Sequence, residues 1–154
     1  MSETYYADSS ALVKRHISEA GSAWIEQEFD TTSGNKIITA KLSFAEVLSA
    51  MNRRRREANI TATEYAKFSG DFLSFVETDY EIIELSDAIL LQAQRLLETH
   101  PLRAGDAIQL ASALLANTQL QSANLPALIF LASDVRLLTA AQSEGLSTDD
   151  PQNH

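Results

Sequence analysis

Cysteine is absent from all 154 residues. That excludes disulfides, thiolate metal sites and a cysteine nucleophile, and it fits a protein of the reducing cytoplasm. No apolar run approaches the roughly 20 residues a membrane helix needs. The polar opening Met-Ser-Glu-Thr has no secretory-signal pattern, so a cytoplasmic protein with no membrane partner is expected. Histidine is scarce, and His16, His100 and His154 stand at no spacing that suits a metal. Positive charge is also short, with 12 Lys and Arg against 21 Asp and Glu and a formal net charge of −9. Phosphate binding is driven largely by Lys and Arg. This balance argues against a nucleic-acid partner unless the acids gather in a metal site and the bases cluster elsewhere.

What remains is ordinary for a soluble globular chain, at 45% hydrophobic and 21% charged. The length suits one domain with a sizeable core, here 1–148, followed by a polar C-terminal tail over 149–154. The chain is organised around Thr4-Tyr5-Tyr6-Ala7-Asp8-Ser9-Ser10. A run of β-formers stops at an acid, small hydroxyl residues follow, and an apolar helix begins. This reads as a strand delivering Asp8 to the carboxyl edge of a sheet, with Ser9 or Ser10 capping the next helix.

Helices are expected from Ser10 to His16 and from Glu19 to Phe29, then a strand at Lys36–Thr39 after the Ser33-Gly34-Asn35 turn. A long helix from about Lys41 to Ala58 is assigned Thr39 as its cap. Thr61 opens another with Glu64 as capping-box partner, and Phe68, Phe72 and Phe75 on it read as core at helical spacing. Glu81–Glu84 is a strand and Ser86–Thr99 an amphipathic helix. The helix from Arg103 to about Gln119 is apolar almost all round, hence buried. Ala127–Ala132 is a continuous apolar run, the mark of a parallel strand covered on both faces. Ser133 is assigned as cap of a helix through Ala141 that stops at Gly145, and Leu146–Thr148 as a last edge strand. Strands alternating with helices make the chain α/β, around a parallel sheet of four or five short strands.

Four acids sit where apolar residues or caps are expected. Asp8 ends the first strand, and Glu46 lies in the apolar segment Leu42–Leu48. Asp106 falls in the first turn of the most buried helix, where the helix dipole favours its ionised form. Asp134 follows the most buried strand. Each has an ordinary explanation alone: a cap, a dipole partner, or for Glu46 an ion pair with an arginine such as Arg103. Together they are better explained by a divalent cation, because several buried carboxylates need charge compensation and oxygen-only ligands suit Mg²⁺ or Mn²⁺.

Four segments carry a family resemblance: Tyr6-Ala7-Asp8-Ser9-Ser10-Ala11-Leu12-Val13-Lys14; Leu42 to Ala50 around Glu46; Leu102-Arg103-Ala104-Gly105-Asp106-Ala107-Ile108-Gln109-Leu110-Ala111; and Ala132-Ser133-Asp134-Val135-Arg136-Leu137-Leu138-Thr139-Ala140-Ala141. In this order they resemble the PIN-domain nucleases, and among them the VapC-type toxins of bacterial toxin–antitoxin pairs. The resemblance implies a three-layer α/β/α fold and Mg²⁺- or Mn²⁺-dependent cleavage of RNA, with Asp8, Glu46, Asp106 and Asp134 as the acidic ligands. It implies supporting roles for Ser9 or Ser10 and for Ser133, where Thr is common in the family. It implies a small cognate antitoxin and a homodimer as well. Gln109 stands where many members carry His.

In such a site the cation lowers the pKa of a bound water, a carboxylate orients that water, and attack on phosphorus is in line. Arg53, Arg54, Arg55 and Arg56 either track phosphates or form a solvated helix end set against the dipole. Arg103, one turn before Asp106, is the better near-site base, and Lys14 and Arg15 are weaker candidates. Among other classes, an aspartyl phosphatase needs an acid two residues after Asp8, where Ser10 stands. A receiver domain needs paired acids at the first strand and a lysine after a late one, and neither is present. A PIN-like scaffold that binds without cutting, and a housekeeping RNA-processing nuclease, are the remaining alternatives.

Overall fold

A computed structural model describes residues 2–154. Five strands, β1 (Thr4–Ala7), β2 (Lys36–Ala40), β3 (Tyr80–Ile83), β4 (Ile129–Leu131) and β5 (Ser147–Asp149), form one parallel sheet in the order β3-β2-β1-β4-β5. Tyr5 stands opposite Ile37 and Ile129, and Tyr6 opposite Ile38 and Phe130. Because the side-chain period of a strand is two, these rows face opposite sides. Tyr5, Ala7, Ile37 and Leu131 pack under α1 (Ser9–Val13), α2 (Ser22–Glu28), α3 (Ser43–Arg56) and α4 (Ala62–Thr78). Tyr6, Ile38 and Phe130 pack under α5 (Asp87–Thr99), α6 (Ala104–Ser122) and α7 (Val135–Ser143). The result is the expected α/β/α sandwich. Phe72 is fully buried, with Phe68 and Phe75 packed against the same core, so this helix face is interior.

Parallel strands put every carboxyl end on one edge, and the order reverses between β1 and β4. Ligands of open α/β sheets bind at such a switch point. Asp8 follows β1 there and its N–H donates to the Leu131 carbonyl (3.1 Å), while Asp134 leaves the end of β4.

Three capping expectations are corrected. Asp8 itself caps α1, accepting from the Ala11 N–H at 3.0 Å, and Ser10 donates to the same carboxylate instead of capping. An extended acid directly before the first helical residue is a better acceptor than the hydroxyls already inside the helix. Asp134, not Ser133, caps α7 in the same manner. Thr39 caps nothing: it lies within β2, where its hydroxyl donates to the Ala7 carbonyl and bonds Ser43 Oγ, both at 2.7 Å. The Thr61–Glu64 capping box forms as expected.

The helix expected over 10–16 ends as an α-helix at Val13. The helix expected from Glu19 begins at Ser22, because Gly21 stands at φ +91°, outside helical space. Residues 149–154 are not a trailing tail. Asp149 pairs with Leu131 in β5, Pro151–Asn153 form a buried-ended 3-10 turn, and the His154 ring stacks on Trp24 at 4.1 Å. A Cβ at Gly21 would lie 2.4 Å from the Pro151 carbonyl oxygen. Gly21→Ala is therefore expected to lower stability by about 2 kcal/mol or more, the order of a left-handed non-glycine residue plus a backbone clash. Urea unfolding checks this; an unchanged midpoint would show that the C-terminal turn is not clamped there. Among the described residues no helix is long and apolar enough to cross a membrane.

Candidate active site

The site is built from four places where a helix begins near the shared sheet edge. Asp8 is delivered by β1 and is 5% exposed. Ser10 Oγ (2.6 Å) and the Ala11 N–H both donate to its Oδ1, not to Oδ2. Asp134 repeats the arrangement in a more exposed position, with the Arg136 and Leu137 N–H groups on Oδ1. Ser10 links the two places, since its oxygen also accepts the Ser133 N–H at 3.1 Å, and Ser133 in turn donates to Asp150. Ser10 and Ser133 thus hold the ends of β1 and β4 together.

Glu46, in the first turn of α3, and Asp106, in the first turn of α6, complete the edge. Glu46 does not pair with Arg103. Its Oε1 accepts from Gln109 Nε2 at 2.7 Å, and its Oε2 fills the space where a Cβ on Gly105 would stand, 2.9 Å away.

Three of the four carboxyls hold their protons more tightly than usual. Burial pushes Asp8 up to about 7 against the pull of the Ser10 and Ala11 bonds, and the charges of Glu46 and Asp106 push the same way. Burial raises Glu46, opposed by Gln109 and Ser9 and reinforced by Asp106. Burial raises Asp106 too, then the Asp134 charge, against the backbone and charge of Arg103 and the charge of Arg136. Its place in the first turn of α6 does not hold Asp106 below the ordinary carboxylate range, because burial and the Asp134 charge raise it. The four acids therefore share one electrostatic environment. Among the described residues, no three Asp, Glu, His or Cys side chains are drawn together closely enough to hold a metal ion.

The basic run divides. A groove of about 550 Å³ beside Glu46 is lined by Ser9, Ser10, Ser49, Arg53 and Arg54, with Glu19 opposite. Glu19 holds the Arg54 guanidinium and the buried Lys14 ammonium. Arg55 instead lies over the Tyr65 ring at 4.6 Å, and Arg56 is exposed outside the groove. Helical geometry separates them, because residues one apart differ by about 100° around the axis. The histidines are elsewhere: His100 on Glu144, His154 on Asp149, and His16 between Phe72 and Phe75.

Sequence reasoning missed Arg136, which sits two residues after Asp134 and acts on Asp106, and it missed Glu19 as the clamp on Arg54. It also missed Ser43, which accepts from Gln109 Nε2 at 2.9 Å. Only Ser43 and Gln109 had a usable signal, each lying three residues from an acid on the same helical face.

The PIN domain model matches residues 5–125 of the chain. Ribonuclease VapC45 of Mycobacterium tuberculosis (strain CDC 1551 / Oshkosh) is 30% identical over 140 residues, covering 91% of this chain and 90% of its own. The chain belongs to the PIN-domain family. Its PIN fold is shared with VapBC2 from Rickettsia felis, solved bound to a DNA fragment from their promoter, at a TM-score of 0.61 and 12% identity over 96% of this chain and 98% of that one. A toxin–antitoxin complex from Klebsiella pneumoniae matches at 0.60 and 16%, over 96% and 97%. Asp8, Glu46 and Asp106 fall inside the matched PIN segment, and Asp134 lies beyond residue 125.

Proposed function

We propose that this PIN domain is a metal-dependent endoribonuclease, the toxin of a toxin–antitoxin pair, hydrolysing RNA phosphodiester bonds with Mg²⁺ or Mn²⁺ at Asp8, Glu46, Asp106 and Asp134. The observation that carries this is the set of four acids at the switch point of the sheet, three of them with proton affinity raised by burial and further by their acidic neighbours. A divalent cation relieves that repulsion. The donor set is wholly carboxylate oxygen, which fits Mg²⁺ or Mn²⁺, and Mg²⁺ keeps several waters and needs only one or two carboxylates at a time. The absence of a ready three-carboxylate cage is compatible with that mode of binding.

When bound, the cation supplies a water of lowered pKa and stabilises charge on the phosphate oxygens. The protein's part is positional. Ser10 and Ala11 fix Asp8 through Oδ1, leaving Oδ2 to orient the attacking water or take its proton. Arg103 and Arg136 offset the charge at Asp106, and Arg53 and Arg54 line the groove that would carry the flanking phosphate backbone. The protein works in the cytoplasm, with a small antitoxin as partner and a homodimer as its assembly. The likeness to the Klebsiella pneumoniae toxin–antitoxin complex supports the first partner, and the exposed Leu90, Leu91 and Leu97 along α5 support an interface.

The deciding experiment is cleavage of single-stranded and structured RNA by the purified protein with Mg²⁺, with Mn²⁺ and with chelator. Cleavage that chelator abolishes supports the proposal; none with either metal in antitoxin-free protein overturns it. The divided basic run gives a second expectation. Gln at Arg53 and Arg54 should weaken RNA binding and flatten its salt dependence by roughly 0.7 in log–log slope for each phosphate no longer neutralised, while Gln at Arg55 and Arg56 should change the slope little. Equal effects from both pairs would mean that the groove does not carry the strand.

A further inference from the structure

Gln109 is a buried amide with its hydrogen bonds fully specified. Its Oε1 accepts from the Tyr6 hydroxyl at 2.7 Å, and its Nε2 donates to Ser43 Oγ at 2.9 Å and to Glu46 Oε1 at 2.7 Å. The opposite orientation of the amide would place its carbonyl oxygen against the Glu46 carboxylate, so the charged neighbour decides which way it points. Ser43 is held on its other side by Thr39, and Thr39 by the Ala7 carbonyl. The chain of bonds thus runs from β1 and β2 through α6 to Glu46 without leaving the interior. Gly105, one helical turn before Gln109 on α6, closes the other side: Glu46 Oε2 occupies the space a Cβ there would take.

From this geometry we infer that Gln109 and Gly105 are positioning residues for Glu46, one holding Oε1 by a charge-assisted bond and the other leaving room for Oε2, so that α6 supplies both Asp106 and the cradle that sets Glu46 beside it. This inference rests on the metal-site reading proposed above. Both hydrogens of the buried Nε2 are used, one on Ser43 and one on Glu46, so the bond that completes the amide is also the one that fixes a site carboxylate. The third bond is the one that restricts an acid of the site. Loss of an outer partner of a metal-binding carboxylate typically weakens metal affinity or activity about 10- to 100-fold.

The test is titration with Mn²⁺, followed by electron paramagnetic resonance of the free ion, on the parent, Gln109→Leu, Gln109→His, Gly105→Ala and Asp106→Asn, with melting of each in chelator. Gln109→Leu should weaken Mn²⁺ binding about 10- to 100-fold, and Gln109→His, whose ring N–H can replace the donor, should recover most of it. Gly105→Ala should weaken binding several-fold without melting lower, since alanine favours the helix and only the end of the Glu46 side chain must move. In cleavage assays both weakened variants should lose kcat while the KM for RNA stays near the parent value. If Gln109→Leu and Gly105→Ala bind Mn²⁺ like the parent while Asp106→Asn does not, the cradle is overturned and the metal site stands. A lower melting temperature for Gln109→Leu with parental Mn²⁺ affinity reduces Gln109 to a structural residue, and overturns it equally. If the parent binds no Mn²⁺, the metal reading fails and the inference falls with it.

Discussion

Asp8→Asn is expected to melt higher than the parent in chelator at neutral pH. In the unfolded chain the Asp8 carboxyl titrates near its ordinary value of 3.8; in the fold, burial raises it to about 7. Between those values the native state keeps a proton that the unfolded state has released. Stability therefore falls as pH rises through that window and levels off above it. Below 3.8 both states are protonated and the penalty is absent. A rise from 3.8 to about 7 corresponds to at most roughly 4 kcal/mol at pH 8, and relaxation of the site will reduce it. About 2 kcal/mol is a reasonable expectation, or roughly 4 to 8 °C in melting temperature for a domain of this size.

Asparagine retains the rest of Asp8's work. Its carbonyl oxygen can still accept from Ala11 and Ser10 as the cap of α1. Saturating Mn²⁺ should reverse the order, because an ion at 100 times its dissociation constant stabilises the parent by about 2.7 kcal/mol and the variant by less. The measurement is a set of melts of both proteins from pH 4 to 8, with chelator and with Mn²⁺. A variant that melts lower than the parent in chelator at pH 8 would show that the Asp8 charge is compensated within the protein and calls for no cation.

Asp106→Asn is expected to reduce RNA cleavage by more than about 100-fold, the upper end of what outer-shell residues cost, while the fold is kept. Asp106 sits half-buried in the first turn of α6, where Asp134 raises its proton affinity. Removing its charge should ease the metal-free fold and, on the proposed function, remove one of the carboxylates offered to the cation. Asp87 provides the control. It too is an acid in the first turn of a helix, α5, but it is exposed and follows the edge strand β3, two strands away from β1. Asp87→Asn should cleave at the parental rate. Initial rates on one RNA at fixed Mn²⁺, with circular dichroism of each variant, decide the matter. Parental cleavage by Asp106→Asn, with contaminating nuclease excluded, would remove Asp106 from the site.

The sequence by itself determined the class of fold and the elements that carry the acids. An apolar β4 covered on both faces, an all-round apolar α6 and the alternation of strands with amphipathic helices are local patterns, and local patterns are what periodicity reports. It also put Asp8 and Asp134 on one sheet edge, since in a parallel sheet every strand delivers its next residue to the same side. The tertiary structure alone decided which group caps each helix, because Ser9, Ser10 and Asp8 have similar propensities and only the exit geometry of β1 chooses among them. It alone folded residues 149–154 onto α2, through the Gly21–Pro151 contact that no local pattern announces. It split one run of four arginines into a groove-facing pair and an outward pair. And it turned Gln109 from a side chain on an apolar helix into the partner of Glu46, a contact spanning 63 residues. Long-range contacts of that kind form where α3 and α6, on opposite faces of the sheet, meet at its carboxyl edge, and spacing within either helix specifies only which face each residue presents.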